Sequence, residues 1–148
     1  MVPKSSPDSS RSQTLDRGVR ALNLIATSPK PMTIDEVADQ LALGRSVTYR
    51  IIRTLEDHRL VMRDASGRLA GGTQLVALAG GVRAEMQAVA APILTELANT
   101  LQMTSFLVVS DGQEAVTVQV AEPTSTAAHV AYRPGTRHPL ERGAPGIA

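Results

Sequence analysis

The sequence predicts an α+β protein in which a helical N-terminal part precedes a strand-rich C-terminal part. Apolar residues recur at helical spacing between Thr14 and Leu55. A longer helical pattern runs from Arg83 to Leu101, and apolar, β-branched residues follow from Thr104 to Val120. With 148 residues, the chain has room for one domain or two small ones.

The first predicted element is a helix from Thr14 to Ser28, capped by Thr14 or a neighbour and ended by Pro29 and Pro31. Residues 1–12, which precede it, are rich in Ser and Pro and are expected to form a disordered tail. The helix should pack across the two helices that follow. Its predicted buried stripe comprises Leu15, Val19, Leu22, Ile25 and Ala26.

Residues 33–55 predict two short helices joined by a tight turn. The first opens with a capping box, in which the Thr33 hydroxyl accepts from the Glu36 N–H and the Glu36 carboxylate reaches back to Thr33. Gly44 is expected to end this helix, and the second should run from Arg45 to Asp57. The predicted buried face of the first helix comprises Ile34, Val37, Ala38 and Leu41.

The second of these helices has two unlike faces at about 100° per residue. The inward side gathers Thr48, Ile51, Ile52 and Leu55. The outward side gathers Ser46, Tyr49, Arg50 and Arg53. A helix-turn-helix places such a helix in the DNA major groove, where the arginine fork pairs with guanine or with phosphate. The pattern also fits an ordinary helical hairpin with a solvated basic face, or a protein-interaction module.

A β-hairpin is predicted directly after the second helix, from Leu60 to Leu69, with its turn at residues 64–67. A hairpin at this place is the wing of a winged helix-turn-helix. Arg63 and Arg68 flank the turn, where their side chains can reach a phosphate or the minor groove. The alternative is a hairpin that merely closes the small core.

A short helix from Gln74 to Ala79 and a longer one from Arg83 to Leu101 are predicted next, separated by Gly80 and Gly81. Pro92 lies inside the longer helix and should kink or restart it. The apolar side of the longer helix comprises Met86, Val89, Ala90, Ile93, Leu94, Leu97 and Leu101. It is interpreted as intramolecular core or as a dimerisation surface.

Strands are predicted from Thr104 to Ser110 and from Ala115 to Val120, joined by a turn at Asp111-Gly112. Val116, Val118 and Val120 should share one face of the second strand. A third strand is possible from Ala128 to Tyr132. Residues 133–148 are rich in Gly and Pro and are interpreted as loop, in which residues 146–148 could be the first residues of a helix.

Composition excludes several kinds of site and partner. The chain has no cysteine, its three histidines lack metal-ligand spacing, and only 2% of its residues are aromatic, too few to stack single-stranded nucleic acid. No catalytic constellation, cofactor motif or membrane span is found, so a cytoplasmic, non-enzymatic protein without a cofactor is expected. Residues 1–80 hold 11 Lys or Arg against 8 Asp or Glu, and the rest of the chain is acidic.

Together these segments resemble the IclR family of bacterial transcriptional regulators over nearly the whole chain after the tail. The order and spacing of first helix, helix-turn-helix and wing are those of the family. The resemblance is carried by DRGVRALNLI at 16–25, TIDEVADQLALGRSVTYRIIRTLE at 33–56, SGR at 66–68, APILTELA at 91–98 and RHPLERGAPGIA at 137–148.

The resemblance implies a winged helix-turn-helix DNA-binding domain at 13–72, linker and dimerisation helices at 73–101, and a GAF-like effector-binding domain at 102–148. It also implies a protein that binds double-stranded operator DNA as a homodimer or tetramer. Effectors of the family are often aromatic or short organic acids. The effector domain is expected to be truncated by roughly a hundred residues, as judged from ordinary domain sizes, so an effector response is not expected.

By position, the resemblance gives the DNA-facing places of the recognition helix to Arg45, Ser46, Val47, Tyr49 and Arg50. With the helix faces and the wing, the predicted DNA-binding set is Arg45, Ser46, Val47, Thr48, Tyr49, Arg50, Arg53, Arg63 and Arg68. The sequence departs from the family where Val47 replaces a common Thr, moving one hydroxyl to Thr48. It also has Leu69-Ala70-Gly71-Gly72 in place of the usual Tyr-x-Leu-Gly, which predicts a weaker returning wing strand.

The predicted function is therefore that of a sequence-specific, repressor-like DNA-binding regulator. The main alternative is a winged-helix interaction module that dimerises with full-length relatives and binds DNA weakly. A third interpretation is a small-molecule sensor that acts through the partial effector domain.

Overall fold

The computed structural model describes residues 11–124 and 133–141. The chain divides into two compact units, with the boundary between Ala79 and Gly80. Most of the predicted N-terminal tail, the possible strand from Ala128 to Tyr132 and the possible helix start at residues 146–148 lie outside the described residues. The predicted domain boundaries at 72 and 101 stay predictions.

The first unit is a three-helix core closed by a β-hairpin. Its elements are α1 (Gln13–Thr27), α2 (Ile34–Leu41), α3 (Arg45–Asp57), β1 (Val61–Arg63), β2 (Leu69–Gly71) and the short α4 (Gln74–Gly80). β1 and β2 pair antiparallel over all three residues, and Met32 adds a bridge to Leu69. The largest fully buried apolar side chains are Ile52, Leu69, Val37 and Val61. The predicted winged helix-turn-helix is confirmed.

Helix α1 is rotated from the orientation predicted for it. Ser12 is its N-cap, and Ala21 and Ile25 are its buried residues, whereas Leu15 and Val19 are 67% and 47% exposed. At about 100° per residue, Val19 lies on the side of the helix opposite Ala21. The prediction of a buried stripe through Leu15, Val19 and Ala26 is therefore wrong, and α1 presents apolar side chains to solvent.

The turn between α2 and α3 closes differently from the prediction. Helix α2 ends at Leu41, and its C-cap Ala42 has a left-handed φ of 52° and ψ of 43°, while the Leu43 N–H donates to the Ala38 carbonyl oxygen at 2.9 Å. Gly44 does not end α2; it has a φ of −63° and is the N-cap of α3. The inward face predicted for α3 is confirmed, since Thr48, Ile51, Ile52 and Leu55 are all buried.

The second unit contains α5 (Ala84–Leu101) and an antiparallel sheet with the order β3-β4-β5. The strands are β3 (Ser105–Asp111), β4 (Glu114–Ala121) and β5 (Arg137–Pro139). The interpretation of residues 133–148 as loop is thus wrong for β5, which pairs with residues 114–116 of β4. Side chains help to hold it there, because the Arg137 guanidinium donates to Glu114 at 2.8 Å and to Asp111 at 2.7 Å.

A bulge interrupts the predicted alternation in β4. Leu107 pairs with Gln119 and Val108 with Thr117, so Val118 is the extra residue. Ala115 and Thr117 are the fully buried residues of β4, while Val116 and Val118 are half-buried. Val116, Val118 and Val120 were expected to share one face, but the residues of β4 that pack most closely are the smaller Ala115 and Thr117.

Helix α5 leaves most of its apolar side chains uncovered. Pro92 lies inside the continuous helix, so the predicted restart is wrong. Leu94 and Ala98 are buried, where the helix packs on β3 and β4. The exposed apolar residues of this stripe are Met86, Val89, Ile93, Leu97 and Leu101. Within this unit, the intramolecular-core interpretation is wrong for these five. None of the helices in the described part of the chain is long and apolar enough to cross a membrane.

Candidate nucleic-acid interface

The outward face of α3 is a solvent-facing row of hydrogen-bonding side chains. Ser46, Tyr49, Arg50 and Arg53 are all exposed, and Tyr49 is 48% exposed despite its size. Their exposure follows from the opposite face, because four buried residues anchor the helix in the core and fix its rotation. A rigid helix whose outer row carries phenol, hydroxyl and guanidinium groups can donate to base edges and phosphates.

Arg50 and Arg53 are the two positively charged side chains of this row. Neither makes an ion pair with a residue in 11–124 or 133–141. Arg45, at the first position of α3, has its Nε 3.2 Å from the Asp35 carboxylate, and both side chains are more than half exposed. Exposed pairs of this kind contribute little free energy, so a phosphate can compete for Arg45.

Thr48 is the predicted DNA-binding residue that the structure places in the core. Its side chain is fully buried, and its hydroxyl donates to the Gly44 carbonyl oxygen at 3.2 Å. The Thr48 hydroxyl holds the first turn of α3 and lies on the buried side of the helix, away from the outward row. Val47, its neighbour, is 36% exposed and remains available for apolar contact with a thymine methyl group.

The two wing arginines are held by carboxylates of the helix-turn-helix. Arg63 Nε donates to Glu56 Oε1 at 2.7 Å, and its Nη1 donates to the Gly67 carbonyl oxygen at 3.0 Å. Arg68 Nη1 lies 3.2 Å from the Pro31 carbonyl oxygen and 3.4 Å from Glu36 Oε2. Both ion pairs connect the wing to the helices. These contacts support a structural role for Arg63 and Arg68 beside the predicted role in DNA binding.

Glu36 performs two tasks at once. The predicted capping box is present, since the Glu36 N–H donates to Thr33 Oγ1 at 3.1 Å and the Thr33 N–H donates to Glu36 Oε2 at 2.6 Å. The same carboxylate faces Arg68 of the wing. Hydrogen bonds from Thr33, with a smaller contribution from Arg68, lower the pKa of Glu36 below its ordinary value.

The wing turn is closed by one carboxylate. Asp64 Oδ1 accepts from the Ser66 N–H at 2.8 Å, from the Ser66 hydroxyl at 2.7 Å and from the Arg68 N–H at 2.9 Å. The hydrogen bonds from Ser66 and Arg68 lower the pKa of Asp64 below its ordinary value. Gly67 has a φ of 78°, the left-handed conformation that favours glycine. The turn is therefore well ordered without any DNA contact.

Sequence reasoning missed one cation beside the recognition helix. Arg17 of α1 lines the same concavity as Arg50 of α3. The signal was present, because Arg17 lies one turn before Ala21, but α1 was assigned the wrong buried side. Within the described ranges, no group of three or more His, Cys, Asp or Glu side chains is arranged to hold a metal ion.

Comparison with known proteins identifies the helix-turn-helix. Residues 14–65 match the IclR helix-turn-helix domain. Over 136 residues the chain is 27% identical to the HTH-type transcriptional regulator KipR of Bacillus subtilis (strain 168), covering 90% of this chain and 54% of that protein. It is 30% identical over 112 residues to the HTH-type transcriptional regulator Rv1719 of Mycobacterium tuberculosis (strain ATCC 25618 / H37Rv), covering 75% of this chain and 43% of that protein.

Solved structures agree with the fold. The IclR transcriptional regulator from Alicyclobacillus acidocaldarius superimposes with a TM-score of 0.76 and 25% identity, over 92% of this chain and 56% of that one. The chain thus spans about half the length of the relatives that it matches. IclR regulators are non-enzymatic DNA-binding proteins in which a helix-turn-helix precedes a GAF-like domain. Residues 14–65 of this chain are therefore an IclR-type helix-turn-helix domain, and the chain is similar to IclR transcriptional regulators over most of its length.

Proposed function

We propose that this protein is a sequence-specific DNA-binding transcriptional regulator that inserts α3 into the major groove of an operator. The observation that carries the proposal is the exposed outward row of α3, in which Arg50 and Arg53 are held by no carboxylate in the described chain. Ser46 and Tyr49 complete the row, and Val47 is exposed beside it. A helix exposed in this way meets base edges with its N-terminal residues and phosphates with its flanks.

The experiment is a selection of duplexes from a random pool with the purified 148-residue chain. Enrichment of one motif, followed by titration against an unselected duplex, measures sequence-specific affinity. A specific regulator typically prefers its site by a factor of about 10³ or more. Equal affinity for selected and unselected duplexes would contradict the proposal and favour the interaction-module alternative.

The proposed action is occupancy of a promoter, which makes the protein repressor-like. A bound dimer covers the site that the transcription machinery needs, and no further activity is required of the chain. Such a regulator works in the cytoplasm, where bacterial chromosomal DNA lies. A reporter placed behind the selected site should lose expression when the protein is supplied, and a gain of expression would contradict repression.

We infer that the protein binds its operator as a homodimer. Helix-turn-helix dimers read two half-sites about 34 Å apart, so two heads must be held together. Two exposed apolar surfaces support self-association: Leu15 and Val19 on α1, and the stripe on α5 that includes Val89 and Ile93. Exposed apolar surface of this kind is costly in water and is typically covered by a partner.

Substitution of Ile93 by Glu should therefore weaken the dimer. Ile93 is 60% exposed, so a charge there leaves the fold of the unit intact but cannot be buried in an interface. Sedimentation velocity at micromolar concentration should show a dimer for the wild type and a monomer for Ile93→Glu. Thr95→Glu places the same charge on an exposed polar position of α5 and should leave the dimer unchanged. A strictly monomeric wild type would contradict the assembly.

We further infer that the 148-residue chain does not respond to a small organic acid. The described part of the C-terminal unit is a three-stranded sheet with α5 packed against it. Small-molecule sites bury about 70–90% of their ligand, and a ligand shifts an equilibrium only by contacting two states differently. Titrations of DNA affinity with a panel of aromatic and short-chain acids should show no change. A saturable shift of tenfold or more would contradict this inference.

A further inference from the structure

The flank of the recognition helix that faces α1 carries a small basic concavity. It has a volume of about 260 Å³ and is bounded on the α1 side by Thr14 and Arg17. On the α3 side its walls are Val47, Arg50, Ile51 and Thr54. Four of these six residues lie on α3, and Arg50 is one of them, so the concavity borders the outward row that the proposed function places in the major groove.

The charge of this concavity sets it apart from the opposite flank of α3. Among the described residues, its lining includes two arginines, Arg17 and Arg50, and no Asp or Glu. The concavity on the other flank, of about 500 Å³, is lined by Arg53 and Arg63 but also by Glu56 and Asp57. There the cations and anions balance, and Arg63 is already paired with Glu56. Of these two flanks, the one facing α1 has the uncompensated positive charge.

The position of Arg17 follows from the rotation of α1. Arg17 lies one helical turn before Ala21, which is fully buried. Residues four apart lie on the same helix face, so the stem of Arg17 extends along the side on which α1 packs against α3. Its side chain is half-buried and makes no ion pair with any residue of the described ranges. The neighbouring carboxylate in sequence, Asp16, lies about 100° further round the helix.

We propose that Arg17 and Arg50 together bind one phosphate of the DNA backbone, which makes α1 part of the DNA interface. The inference rests on the proposed function, because α3 must lie in the major groove for this flank to face a strand. Two arginines that line one concavity from separate helices can each donate two hydrogen bonds to phosphate oxygens. A phosphate contact fixes the register of the helix in the groove and carries no sequence information itself.

The test is the salt dependence of binding to a 30-base-pair duplex of arbitrary sequence, which requires phosphates but no operator. Arg17→Gln removes one charge and should flatten the plot of log affinity against log salt by about 0.9. The affinity ratio of wild type to variant should accordingly narrow by about 3.5-fold between 50 and 200 mM salt. On a selected operator, Arg17→Gln should weaken binding by the same factor as on the arbitrary duplex.

Arg20→Gln is the matched control, because it removes the same charge from the exposed surface of the same helix and Arg20 does not line the concavity. Its slope should stay within experimental error of the wild type. A methylphosphonate scan of the duplex should reveal one phosphate whose neutralisation weakens binding of the wild type by more than it weakens binding of Arg17→Gln, in which only Arg50 still contacts that phosphate. If the wild type binds and Arg17→Gln keeps its slope, the phosphate contact is wrong and the proposed function stands. If the wild type binds no duplex, the proposed function fails as well.

Discussion

Removing both Arg50 and Arg53 should weaken operator binding by a factor of about 30 or more while leaving the protein folded. Both side chains are exposed, on a helix held by four buried residues on its other face, so their loss leaves the core unchanged. Losing an arginine that contacts a base costs about 1–3 kcal/mol, and losing one that contacts a phosphate weakens binding to every sequence, so the double substitution Arg50→Ala/Arg53→Ala should cost about 2 kcal/mol or more. The measurement is a titration of the selected duplex at fixed salt, with circular dichroism as the check on folding.

The same experiment separates base recognition from phosphate binding. A substitution that removes a hydrogen bond to a base reduces affinity for the operator more than for an unselected duplex, whereas one that removes a hydrogen bond to a phosphate weakens both equally. If Arg50 binds a backbone phosphate together with Arg17, Arg50→Ala alone should weaken binding to the operator and to the unselected duplex equally. The control is Arg20→Ala/Arg133→Ala, which removes the same charge from exposed positions outside α3. Unchanged binding by the Arg50/Arg53 double variant would exclude α3 as the recognition helix.

The features that could be predicted from the sequence are those that neighbouring residues determine. The capping box needs only Thr33 and Glu36 three residues apart, and the wing turn needs only the segment from Asp64 to Gly67. The two faces of α3 follow from one short periodic pattern. All of these are present in the structure, because the tertiary fold reinforces the local preferences instead of opposing them.

The features that could not be predicted depend on which surfaces meet. Helix α1 offers two candidate stripes, and packing against α3 selects the one through Ala21, which exposes Leu15 and brings Arg17 to the interface. Likewise, the sequence places Arg63 and Arg68 beside the wing turn, but only the folded chain brings Glu56 and Glu36 to them. Strand β5 was missed for the same reason, since its pairing with β4 is distant in sequence.

Gly72→Ala should be the most destabilising single substitution that we predict for the winged helix. Gly72 is buried directly after β2, and its N–H donates to the Leu60 carbonyl oxygen at 2.8 Å. A Cβ at this position would lie 2.7 Å from the carbonyl carbon of Arg59 and 2.8 Å from that of Leu60. These are backbone atoms just beyond the end of α3, so they cannot swing away as a flexible side chain can.

The expected cost is about 3 kcal/mol, at the upper end of ordinary overpacking, because the backbone itself must move. For a unit of this size, that loss lowers the melting temperature by more than about 10 °C. Because the strand leaving the wing would shift relative to α3, DNA affinity should fall at temperatures where the protein still folds. Thermal unfolding followed by circular dichroism measures the melting temperature, and duplex titration measures the DNA affinity.

The matched control is Gly18→Ala, in which the same methyl group is added where nothing lies within 4 Å. Gly18 is inside α1, and alanine is favoured over glycine in a helix interior by about 0.8–1.0 kcal/mol, so this variant should be slightly more stable than the wild type. If Gly72→Ala lowers the melting temperature and Gly18→Ala raises it, the close approach of the backbone at Gly72 causes the destabilisation, and not the loss of a glycine as such. An equal melting temperature for Gly72→Ala and wild type would mean that the wing does not pack against the end of α3 as described.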